Sequence, residues 1–233
     1  MRRLAEAGAD VNGVGKDSES ALHKAAQRGN LAIMEALVDQ GAELETPRYN
    51  AMHFAATREV VRWLAARGLS IQGDGVNESP LMWTCIRGRI DAVRALMELG
   101  ADVQYRGMEG ETALHFAVHC VEEGPSMELT QLLLAAGADA NAANAYSRAP
   151  LHRVKHAACV DVLVHAGADL EARTREGKTP ICVVAECDWP HKLKAVLRLA
   201  DRGAELVNTG GEPGLVERIV AELRAQNSSS PPG

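Results

Sequence analysis

The stretch that opens on Ser20-Ala21-Leu22-His23 and closes on Gly41-Ala42-Glu43 holds the plan of the whole chain in one unit. Ser20 reads as a helix N-cap, because its hydroxyl can accept a bond from an amide that every helix start leaves without a partner. Two short helices are predicted behind it, Leu22 to Arg28 and Leu31 to Gln40, parted at Arg28-Gly29-Asn30. Leu31, Met34, Leu37 and Val38 mark one apolar face of the second. Gly41 ends that helix, since glycine enters the left-handed turn with no side-chain penalty. A helix pair of this size cannot bury its face alone and needs a neighbour stacked on it.

The neighbours are present in the sequence. The closing motif recurs at Gly8, Gly41, Gly100, Gly137, Gly167 and Gly203, with Gly68-Leu69-Ser70 as a variant, at intervals of 33, 27, 32, 37, 30 and 36 residues. The opening motif recurs as Asn50-Ala51-Met52-His53, Ser79-Pro80-Leu81-Met82, Thr112-Ala113-Leu114-His115, Ala149-Pro150-Leu151-His152 and Thr179-Pro180-Ile181-Cys182. Proline fits the first helical position, where the amide it lacks would have had no partner. The fourth residue, usually histidine, is expected to hydrogen-bond the neighbouring loop. A period of this length signals stacked repeats.

Two motif types in register over six units resemble the ankyrin-repeat family, along roughly residues 1 to 208. The resemblance implies an all-α solenoid, with a turn and two antiparallel helices per repeat, β-hairpin or turn fingers, and a concave binding face. On this reading the units run 1–12 (partial), 13–45, 46–72 (shortened), 73–104, 105–141 (with an inter-helix insertion), 142–171 (shortened) and 172–208 (with an insertion). A C-terminal capping helix follows at 209–225 and a disordered tail at 226–233.

The spacing from the fourth motif residue to the closing glycine departs from regularity. It is 18 for His23 to Gly41 and Met82 to Gly100, but 15 for His53 to Gly68 and His152 to Gly167. The shortfall removes the inter-helix glycine and nearly a helical turn. The spacing grows to 22 for His115 to Gly137 and 21 for Cys182 to Gly203. The first gain, Val121 to Ser126, is expected to be an exposed loop, because Gly124-Pro125 cannot continue a helix. The second, Cys187 to Pro190, carries Trp189, the aromatic most expected to be exposed. These loops lie where a partner could be read, or they record tolerated drift in length. At the ends, Met1 to Asn12 reads as the second helix of an incomplete unit. Pro213 to Arg224 reads as a helix whose Leu215, Val216, Ile219, Val220 and Leu223 cover the last repeat.

Composition narrows the function. With 46% hydrophobic but only 3% aromatic residues, the core must be built from Ala, Leu and Val. A formal charge of −6 argues against nucleic acid as a partner. No apolar run is long enough to cross a membrane, and the start lacks the apolar core of a signal peptide. Cys85, Cys120, Cys159, Cys182 and Cys187 are odd in number and scattered, which indicates neither a disulfide framework nor a structural zinc site. A cytoplasmic location fits; removal of an upstream signal would instead place the protein outside or in the periplasm.

Catalytic motifs are missing: there is no phosphate-binding loop, no nucleophile elbow and no H-E-x-x-H. His23, His53, His115 and His152 belong to different repeats, roughly 10 Å apart if stacked, too far for shared metal ligation. His152 and His156, spaced as on one helix with Cys159 behind, lack further ligands. His119 and Cys120 are adjacent on a helix and point in different directions, so they do not form a dyad. No catalytic residue, metal or cofactor is expected.

The resemblance instead implies contact residues at the finger turns and at the ends of the first helices. The finger candidates are Lys16, Asp17, Glu19, Thr46, Pro47, Tyr49, Gly75, Val76, Glu78, Met108, Glu109, Glu111, Ala145, Tyr146, Arg148, Arg175, Glu176 and Lys178. Those on or beside the first helices are Gln27, Arg28, Thr57, Ile86, Arg87, His119, Cys120, His156, Glu186 and Trp189. Tyr49, Met108 and Tyr146 stand out, since aromatics and Met are enriched at interface hot spots. Trp63 and Trp83 are expected to pack. The expected function is a non-enzymatic, monomeric module binding one folded protein, as an inhibitor or immunity protein of an enzyme or toxin. An adaptor linking two proteins is the alternative, and a metal-dependent enzyme a more distant one.

Overall fold

The computed structural model describes residues 10–15, 19–45, 49–72, 78–120, 123–189, 192–206 and 214–228. The chain divides into two compact units, 1–102 and 103–233. Both are helical, and among the described residues there is no β-strand. The expected β-hairpins reduce to turns, with single antiparallel bridges at Val14–Ser20 and Glu45–Asn50.

In the first unit, α1 (Ala21–Gln27) starts at Ser20, whose hydroxyl accepts from the His23 amide, and α2 (Leu31–Val38) starts at Asn30, whose side chain accepts from Ile33. The next first helix is missing its usual length. Ala51–Phe54 forms only a single 3-10 turn, from which the chain runs extended to Thr57, the N-cap of α3 (Arg58–Ala65). The pair α4 (Pro80–Ile86) and α5 (Ile90–Glu98) completes the unit. Leu22, Met34, Met52, Leu64, Leu81, Met82 and Leu96 are fully buried between them.

The second unit repeats the scheme. It contains α6 (Ala113–Ala117), α7 (Glu123–Ala135), a 3-10 turn at Pro150–Arg153, then α8 (Ala157–His165), α9 (Pro180–Glu186), α10 (Lys192–Asp201) and α11 (Leu215–Ser228). Both segments with the 15-residue spacing thus lose the same thing, their first helix beyond one turn. α11 packs on α9 and α10 and buries Val216 and Val220, with Leu215, Ile219 and Leu223 half-buried beside them. It extends through Gln226, Asn227 and Ser228, which were expected in a disordered tail. Residues 1–9, 16–18, 46–48, 73–77, 121–122, 190–191, 207–213 and 229–233 lie outside the described residues, and with them most of the incomplete N-terminal unit.

The insertion at Gly124-Pro125-Ser126 corrects the sequence expectation. It is not a loop but the first turn of α7. Proline there gives up only an amide that has no partner in a first helical turn. Ser126 is fully buried, and its Oγ donates to the Ala117 carbonyl at 2.7 Å.

Within each unit, two side-chain devices tie successive repeats together. The first is the motif histidine. Its Nδ1 accepts the amide of the cap residue three positions back, at 3.1 Å for Ser20–His23, 3.1 Å for Thr112–His115 and 3.0 Å for Ala149–His152. The proton then sits on Nε2, which donates onward to Arg148 O from His115 (2.9 Å) and to Ala172 O from His152 (3.1 Å). His53 Nε2 lies 3.1 Å from Glu78 O. The second device lies four residues after the closing glycine. Asn12, Gln72 and Asn141 each donate to the next closing glycine (Gly41, Gly100, Gly167) and accept from the amide two residues beyond it. Gln104 makes the same donation to Gly137.

Candidate functional site

The site is built from the finger turns and the helices beside them. In the second unit, Asn144 sets the geometry. Its Oδ1 accepts the amides of Tyr146 (2.9 Å) and Arg148 (3.0 Å), curling residues 144–148 into a tight turn. Thr174 does the same for Glu176 and Lys178, both at 3.2 Å. Adjacent turns are also laced by backbone bonds, Ala145 N to Glu109 O and Arg175 N to Tyr146 O. Gly110 allows the first of these. Its φ is +72°, and a Cβ there would stand 3.3 Å from Ala145 N.

Between these turns and the first-helix positions lies a groove of about 350 Å³, whose lining includes Glu109, His119, Tyr146, Arg148, Arg153 and Trp189. Glu111 and Arg153 are ion-paired in its wall, and Asn144 Nδ2 donates to the same carboxylate at 3.2 Å. Arg153 arrives there because Pro150–Arg153 is a 3-10 turn rather than a helix. His119 meets Trp189 edge-on, ring centroids 5.0 Å apart. Burial holds the imidazoles of His119 and His152 below their ordinary pKa, so both are neutral near pH 7. Burial also raises the Cys187 thiol, which makes it a poor nucleophile. Tyr146, in the lining, is 47% exposed, and Met108, beside Glu109 in the chain, is 68% exposed. Tyr146 Oη donates to Glu109 at 3.3 Å.

The first unit carries a different surface. Gln27 donates to Glu19 at 2.8 Å, and Arg87 approaches the same carboxylate at 3.9 Å. The Arg87 guanidinium lies 4.6 Å from the Trp83 ring centroid and 5.1 Å from that of Phe54. Tyr49 stands edge-on to Trp83 at 5.0 Å. Trp83, expected in the core, is half-buried on this surface instead. Trp63 is half-buried as well, donating to Glu35 from its indole with Arg67 stacked over its ring.

The structure therefore brings together Glu19, Gln27, Tyr49 and Arg87 in one unit, and Glu109, Glu111, His119, Tyr146, Arg148 and Trp189 in the other. Arg28, Met108, Arg175, Glu176 and Glu186 are exposed, while Ile86, Glu78 and Lys178 are half-buried. Four expectations change, the first at Cys120, which is buried rather than presented for contact. His156 is buried, with Nε2 3.0 Å from Cys120 O. Glu111 is buried too, and orders the groove from within. Trp189 is half-buried against His119 rather than exposed. Thr57 serves as a helix cap. Lys16, Asp17, Thr46, Pro47, Gly75 and Val76 lie outside the described residues. Asn144 and Arg153 were missed: neither falls on a regular contact position, and only the shortened spacing before Gly167 hinted that residue 153 would turn.

His152 and His156 are not on one helix, and the His152 ring nitrogens are both engaged by backbone groups. No group of three or more metal-ligating side chains lies together among the described residues. No described helix is long and apolar enough to cross a membrane.

The family model for ankyrin repeats in three copies matches residues 1–74 and 59–144. Human ankyrin repeat and SOCS box protein 16 is 33% identical over 230 residues, covering 89% of this chain and 49% of that protein. The E3 ubiquitin-protein ligase KEG of Arabidopsis thaliana is 26% identical over 245 residues, covering 91% of this chain and 15% of that protein. The human ASB11 ankyrin repeat domain superposes with a TM-score of 0.65 at 21% identity, over 88% of this chain and 92% of that one, a likeness of fold. The chain spans 15%, 34% and 16% of three curated relatives it matches.

Proposed function

The chain belongs to the ankyrin-repeat family, and on that premise we propose that it is a non-enzymatic module recognising one folded protein through the groove and finger turns of residues 103–233. The observation that carries this is the placement of Met108 and Tyr146. Tyr146 stands half exposed in the lining of a groove whose wall is held by side-chain hydrogen bonds, and Met108, next in the chain to the lining residue Glu109, is exposed on the same finger turn. Exposed anchors on a pre-ordered frame are how an interface gains affinity without a large ordering cost. The finer reading is an antagonist that caps an enzyme or toxin.

A photo-crosslinking residue at position 146 tests the proposal. It should capture one partner at near one-to-one stoichiometry, while the same residue at Met127, on α7, should not. If the captured protein is an enzyme whose activity falls as the complex forms, the antagonist reading stands; equal capture from both positions overturns the groove.

An adaptor is the second reading. It is favoured by the two separate side-chain clusters, Glu19, Gln27, Tyr49 and Arg87 in residues 1–102 and the groove in residues 103–233. Two partners captured at once, from separate positions in the two units, would select it.

A further inference from the structure

Resting on that reading of the groove, we infer that Arg148 is the anchor for a carboxylate side chain, Asp or Glu, presented by an extended segment of the partner protein. Arg148 lines the groove, yet its Nε is shut off from solvent and has no hydrogen-bond acceptor among the described residues. The neighbouring cations are already matched. Arg153 is paired with Glu111, and Lys178 with Glu186 at 2.6 Å and Glu176 at 3.5 Å. Among the described residues the Arg148 side chain has only the Tyr146 ring, 5.9 Å away. The enclosed Nε is out of a ligand's reach, so it is the two Nη atoms of the guanidinium that face an occupant of the groove, and that fork is shaped to take a carboxylate through two parallel bonds.

The surroundings select the occupant. Neutral His152 and the protonated Cys187 thiol put no competing charge beside Arg148. Glu109 and Glu111 add two carboxylates to the lining, which a singly charged side chain tolerates better than a doubly charged phosphate. A cavity of about 350 Å³ lies at the low end of ligand-sized pockets. It admits a few side chains of a strand-like segment, not a helix of about 10 Å diameter. Trp189 and Val183 in the lining offer an apolar seat for the residue next to the acid.

The test is selection of a random-peptide phage library on the full chain. Enriched peptides should carry Asp or Glu beside an aliphatic or aromatic residue. In a synthetic winner, changing the acid to its amide should weaken binding by about tenfold. Arg148→Gln should cost the same factor and remove the acid–amide difference, while Arg148→Lys, which keeps the charge but not the fork, should lose less. Urea unfolding of each variant checks that the fold is intact. Winners without an acid, an amide peptide that binds equally, preference for phosphoserine at that position, or no enrichment at all would each overturn the inference. Capture through position 146 would then stand on its own, so the two failures are distinguishable.

Discussion

The amide of Asn144 donates to the carboxylate of Glu111 at 3.2 Å, a bond that spans 33 residues of sequence and joins two successive finger turns. The same Asn144 accepts from the amides of Tyr146 and Arg148, so one side chain fixes the wall of the groove and the two residues proposed to meet a partner. Asn144→Ala should therefore lower stability by about 1–3 kcal/mol in urea unfolding, by leaving Glu111 and two amides short of partners. It should also weaken partner binding further than the loss of one side chain suggests.

Two glycines should respond oppositely to alanine. Gly110→Ala forces a side chain into φ +72° and against Ala145 N, and should cost about 1–2 kcal/mol. Gly124, in the first turn of α7 with open space around it, should gain up to about 1 kcal/mol on the same change. Thermal denaturation of the pair reads both signs.

The bracing side chains give a third expectation. Asn141→Ala removes bonds to Gly167 O and Asp169 N, and should cost about 1–2 kcal/mol in chemical denaturation. Asn141→Gln is the control. Gln72 and Gln104 fill the same register elsewhere, so the variant should retain much of the stability.

Stability should fall with acid, for a stated reason. Burial, reinforced by the nearby charge of His53, lowers His23 from 6.5 to about 4, and burial lowers His115, His119 and His152 as well. The unfolded chain takes up these protons first. The contribution is thus complete above about pH 6.5 and is lost progressively as pH falls toward about 4. The urea midpoint should hold steady above about pH 7 and drop through that window. His23→Gln should flatten part of the slope; an unchanged slope would remove His23 from the explanation.

Local chemistry explains which features could be read in advance. Ser20, His115 and Gly41 act through bonds or backbone angles set by repeat position, so cap, bridging histidine and helix end were legible from spacing. The lost turns at Ala51–Phe54 and Pro150–Arg153 were legible too, because three missing residues leave no length for a second turn. Gly124-Pro125 was misread because a helix breaker and a helix starter share one sequence. What separates them is the burial of Ser126 and its bond to Ala117, a tertiary fact. The groove was half legible. Glu109, Tyr146 and Arg148 follow from register, whereas the entry of Arg153 and the folding back of Trp189 onto His119 depend on irregular segments that no register describes.

The most direct test of the account is titration calorimetry of the captured partner against four variants of the full chain. Met108→Ala, Tyr146→Ala and Arg148→Gln should each weaken binding by about tenfold or more, while Met127→Ala, outside the groove, should stay within about twofold. Equal losses at all four positions, or undiminished binding by the first three variants, would contradict the claim that this groove and its finger turns are where the partner is read.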